Sequence, residues 1–78
     1  MSGHGFRIET VYDAKNADGP VPKAEVDRCV KDFCEHEVSG KPIWTTLQAI
    51  VTTEPRNAMG FEYRQAVIKV SVAVEEDE

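Results

Sequence analysis

Residues 63–74, YRQAVIKVSVAV, constrain the fold more than any other part of this chain. Ala66, Ile68, Val70, Val72 and Val74 fall on one side of an extended backbone, and Tyr63, Gln65, Val67, Lys69 and Ser71 on the other. Side chains of a strand alternate between faces, so this period of two predicts an amphipathic strand. β-branched residues dominate it and neither Gly nor Pro interrupts it. Its first face is apolar enough to be core. Its second face is mixed and carries the polar groups on which a functional reading turns.

Two further stretches read as strands. Residues 6–12, FRIETVY, set Phe6, Ile8 and Thr10 against Arg7, Glu9 and Val11. Residues 43–53, IWTTLQAIVTT, set Ile43, Leu47, Ala49 and Val51 against Trp44, Thr46, Gln48 and Ile50, and their β-branched content argues against a helix. Between the two lies a helix over residues 22–38. Val26, Cys29, Val30 and Phe33 recur at three- and four-residue steps, while Lys23, Asp27, Lys31 and Glu35 mark a solvated side. Pro22 suits the first turn, and Gly40 followed by Pro42 stops the helix. Residues 13–20, with Asp18-Gly19-Pro20, read as a loop, and so do residues 54–61, with Pro55, Asn57 and Gly60.

The order is β-α-β-β: an α+β domain with a three-stranded antiparallel sheet and one helix packed on one face. The helix is expected over Phe6, Ile8, Leu47, Val51, Ile68, Val70 and Val72. That leaves Trp44, Gln48, Ile50, Tyr63, Gln65, Val67 and Lys69 on the opposite face. One helix cannot cover both sides of a sheet, so this second face should meet a subunit or a ligand.

Residues 1–78 make a single small domain, with a leader at 1–5 and an acidic tail at 75–78. A chain this short buries only about 60% of its unfolded surface and commonly relies on assembly or another staple. The net charge of -5 is concentrated in the tail, since residues 1–74 carry ten acidic against nine basic side chains. A near-neutral body lacks the basic patch of a nucleic-acid binder. No signal-peptide pattern opens the chain, and no apolar run nears the roughly 20 residues of a membrane span. The expected location is cytoplasmic.

Catalytic chemistry finds little support. Cys29 and Cys34 stand about 140° apart around a helix, so they neither face each other nor share a metal with His36. No Gly-rich phosphate loop follows a strand. Asp27, Asp32 and Glu35 are interspersed with bases and read as solvated charge. A non-enzymatic role is expected, with no metal. The sharper constellation is Trp44, the only tryptophan, with Gln65 on the same face of the neighbouring strand. A flat stacking surface beside an amide, which donates and accepts in one plane, suits the edge of a heteroaromatic ring. Gln48 and Tyr63 share that face.

The β-α-β-β order and three local stretches resemble the dodecin family of small flavin-binding proteins. The opening MSGHGFRIE is similar to that family's start, Trp44 opens the second strand as a flavin-stacking tryptophan does in some dodecins, and QAVIKVSVAVE is similar to the last strand. The resemblance covers about half the chain. Three features depart from the family's pattern: the longer first loop with Pro20 and Pro22, a helix without an alanine-rich face, and a wider spacing from Trp44 to Gln65. The resemblance implies a homo-oligomer, a hollow dodecamer, storing flavin (FMN, FAD or riboflavin), with Trp44 stacking on the ring and Gln65 bonded to its edge. A second reading needs no family. A small binding or inhibitor module would dock a partner protein through the exposed sheet face, an edge, or the loop residues Arg56, Asn57, Met59 and Phe61.

Overall fold

A computed structural model describes residues 5–75; the leader residues 1–4 and tail residues 76–78 lie outside the described part. The elements are β1 (Gly5–Asp13), α1 (Lys23–His36), β2 (Lys41–Ala58) and β3 (Phe61–Glu75). They form one antiparallel sheet in the order β1-β3-β2, with the opening stretch as its central strand. Burial follows from that position. Ala66, Ile68, Val70, Val72 and Val74 join Ala14, Cys29 and Phe33 in one buried cluster, with Ile8, Tyr12, Val26, Val30 and Leu47 packed around it. The α+β reading holds, and the helix lies on the predicted face of the central strand, but Phe6 and Val51 on the outer strands, expected beneath it, stay half-exposed and outside the core cluster.

The helix is two residues shorter at its C-terminal end than the periodicity suggests and starts one residue later. Pro22 is its N-cap, and the Pro22 carbonyl accepts from the N–H groups of Glu25 and Val26. Lys23 and Asp27 form the expected outer-face pair at 2.9 Å. Tyr12 ties the helix to β1 by donating its hydroxyl to Asp32 Oδ2 at 2.9 Å. Burial, followed by this bond, pushes the Tyr12 phenol above its ordinary range. Cys29 is buried as a small hydrophobe, and burial raises its thiol as well. Past the helix, Gly40 turns the chain into β2 at φ +80°, where a Cβ would stand 3.0 Å from Val74 Cγ1.

Residues 54–61 are not a loop. β2 runs on to Ala58 and β3 begins at Phe61, so Met59 and Gly60 alone make the turn, at φ 52° and 85°. Two left-handed residues match the type I′ hairpin, and Asn57 Oδ1 accepts from the Gly60 N–H at 3.3 Å. Pro55 suggested a break in the sequence. It is tolerated because β2 is an edge strand, where a missing N–H leaves no gap in the sheet interior. Gly5, assigned to the leader, is the first residue of β1.

The hairpin extends past β1, whose pairing with β3 ends at Asp13 opposite Val67. Only the loop residues Ala14 and Ala17 continue alongside, each through a backbone hydrogen bond to Ala66. The molecule is therefore long, 50 × 27 × 17 Å, with a radius of gyration of 15.0 Å. A compact chain of this length would have about 11.5 Å.

Candidate functional site

The pairing of β2 with β3 changes where Trp44 sits. Ile43 lies opposite Ala73, but the next residue in register, Gln48, lies opposite Ser71. Five steps on β2 thus match two on β3, leaving three extra residues in a bulge. An odd excess inverts the alternation. Ile43 therefore belongs with Ala73 on the face away from the helix, not with Val51, which pairs with Ile68. Trp44 follows Ile43 inside the irregular segment and no longer shares a regular row with Gln48 and Ile50.

Side chains hold this bulge. Thr46 Oγ1 donates to the Ile43 carbonyl at 2.6 Å and accepts from the Ala73 N–H at 2.8 Å, replacing the interrupted ladder. Arg7, on the far strand β1, reaches across β3 and donates from Nη2 to the Thr46 carbonyl (3.0 Å) and to Ser71 Oγ (2.9 Å). Trp44 remains 51% exposed. Gln48, just past the bulge, is exposed too.

Gln65 and Tyr63 are elsewhere. Gln65 precedes Ala73 by eight residues on β3, which puts it about 25 Å from the Trp44 end of the sheet. Its side chain is 7% exposed, and Nε2 donates to the carbonyls of Ala14 (3.1 Å) and Ala66 (2.9 Å). Both amide hydrogens are committed within the fold, one to the first loop at Ala14 and one to the adjacent residue Ala66 on β3. Tyr63 is two residues further out, opposite Arg56, and is half-exposed. The single-chain pair of Trp44 and Gln65 expected from the sequence is not formed, because antiparallel pairing sends the start of β2 to the end of β3. Gln48, opposite Ser71 at the first regular pair past the bulge, is the sequence-predicted polar residue at the Trp44 end of the sheet.

The loop candidates divide likewise. Arg56 makes a two-pronged contact with Asp13, at 3.0 Å from Nη1 and 2.9 Å from Nη2, and reaches Glu54 at 3.4 Å. Lys69 stands 3.6 Å from the other Glu54 oxygen. This network bridges both outer strands over the central one, where Val67 is fully buried outside the helix-side core. The guanidinium holds the Asp13 carboxyl below its usual range. Asn57 is occupied by the turn. Met59 (96% exposed) and Phe61 (76%) are open at the hairpin tip.

Among the described residues no group of three or more His, Cys, Asp or Glu is placed to hold a metal ion, and no helix is long and apolar enough to cross a membrane. A cleft of about 360 Å³ lies between the first loop and the start of α1, lined by Lys15, Pro22, Ala24, Glu25 and Arg28. It is at the Gln65 end of the sheet and does not involve Trp44. No family model, curated protein or solved structure matches the chain.

Proposed function

We propose that this protein is a non-catalytic binder of a flavin-type ring, working as a homo-oligomer, with Trp44 as its stacking surface. One observation carries the reading: a half-exposed Trp stands on a bulge tied to the adjacent strand β3 by Thr46 and to the far strand β1 by Arg7. A platform held in advance spends less binding energy on ordering itself. Gln48, exposed just beyond the bulge and forming no side-chain hydrogen bond among the described residues, can serve the polar edge of the ring. Assembly is supported by the apolar side chains left open on the strands, Val11, Ile43, Ile50 and Val51. A site using Tyr63 or Gln65 together with Trp44 has to draw them from two copies, given the distance between them within one chain.

The test is native mass and visible absorbance measured on one chromatographic peak, followed by titration into riboflavin. An oligomer that quenches riboflavin emission is expected, with the quenching abolished in Trp44→Ala. A protein that leaves the emission untouched rejects the reading. The alternative, docking of a partner protein, is favoured by the open side chains of Met59 and Phe61 at the projecting tip. A monomer without riboflavin quenching points to it.

A further inference from the structure

We infer that Arg7 is a positioning residue for Trp44: from two strands away, it sets the shape of the bulge that carries the ring. The inference rests on the flavin reading for the use of Trp44, whereas the contacts it invokes are independent of any ligand. A three-residue excess strips the edge strand of its regular ladder, and such a segment has many available conformations. Thr46 restores one local link through its hydroxyl, but that hydroxyl fixes only Ile43 and Ala73. The Thr46 carbonyl, in the middle of the irregular segment, is taken by Arg7 Nη2. The same nitrogen bonds Ser71 Oγ, and Ser71 is buried on the central strand. One guanidinium nitrogen thus ties β1, β3 and the bulge of β2 at a common point. Removing it leaves a buried hydroxyl and a bulge carbonyl without that donor.

The other cross-sheet arginine gives an internal control. Arg56 also spans the outer strands, but near Gln65, far from Trp44. A merely stabilising cross-strand contact should act alike at either end. A positioning role belongs to Arg7 alone.

Because Trp44 is the only tryptophan, its fluorescence reports the bulge with no ligand present. Arg7→Met is expected to lower the emission anisotropy and to raise the acrylamide quenching constant roughly twofold through local loosening, with far-UV circular dichroism unchanged. Arg56→Met is expected to leave both fluorescence readouts at wild-type values. In a riboflavin titration, Arg7→Met should weaken binding about tenfold, the cost of ordering the platform on binding. Unchanged tryptophan signals in Arg7→Met, or equal changes in Arg56→Met, overturn the inference. Should Arg7→Met fail to fold, Ser71→Ala removes one of the two acceptors and should shift the same signals in the same direction; no shift overturns the inference too. A wild-type protein that ignores riboflavin defeats the flavin reading, and the tryptophan comparison still decides the role of Arg7.

Discussion

At the scale of single residues, long polar side chains perform work that their sequence positions do not announce. Arg7 reads as an outward strand residue and Arg56 as a loop residue, and each ties the outer strands together over the central one. Gln65 reads as a ligand contact by its face, yet its amide hydrogens go to the Ala14 and Ala66 carbonyls. The signal for that role is present but faint: a buried amide beside a loop of unpaired carbonyls. Asp13 offers a test with a definite sign. Arg56 lowers its folded-state pKa, so its contribution is fully present above the unfolded value near ~3.9 and lost as pH falls through the lower folded value. The wild-type melting temperature should therefore fall below about pH 4, and Asp13→Asn should show a shallower fall. Parallel melting profiles for the two proteins would contradict the assignment.

At the scale of elements, the helix and the cores of all three strands were legible because periodicity is local. The hairpin tip and the bulge were not. Pro55, Asn57 and Gly60 carry loop chemistry, and on an edge strand with a two-residue turn the same residues are compatible with continuous pairing. Met59 occupies the left-handed region at φ 52°, where a side chain like its own is disfavoured and Asn is accepted. Met59→Asn should stabilise the hairpin by about 0.5–1 kcal/mol, and Gly60→Ala should destabilise it by about 1 kcal/mol, with the strain at φ 85° as its only cause since a Cβ meets nothing within 4 Å. Thermal denaturation of both variants checks the opposite signs. The bulge is not legible in residues 43–53, which contain no Gly or Pro to mark a break; three extra residues are visible only against the partner strand.

At the scale of the molecule, a thin core supports a long sheet. Phe33 is fully buried and is the largest side chain in that core, facing the central strand from the helix. Phe33→Ala should cost about 3–5 kcal/mol, which is most of the stability expected of a domain this small. Urea denaturation should show the midpoint collapsing towards zero; a shift of only a few tenths of a molar would mean that assembly, not the helix-sheet core, holds the fold. The hairpin arm extends beyond the β1 pairing at Asp13, and its apolar tip residues Met59 and Phe61 are open among the described residues.

The sequence by itself determined which segments are helix and strand cores, which side of residues 63–74 is apolar, and that one helix must lie on that side of a sheet. Those properties follow from period and propensity along a single stretch of chain. Only the tertiary structure decided that residues 63–74 are flanked on both sides, that Trp44 and Gln65 lie at opposite ends of the sheet, and that a bulge separates Trp44 from its regular row. Register between strands is a relation between distant segments, and one odd insertion in it reverses every face assignment on one side of the break.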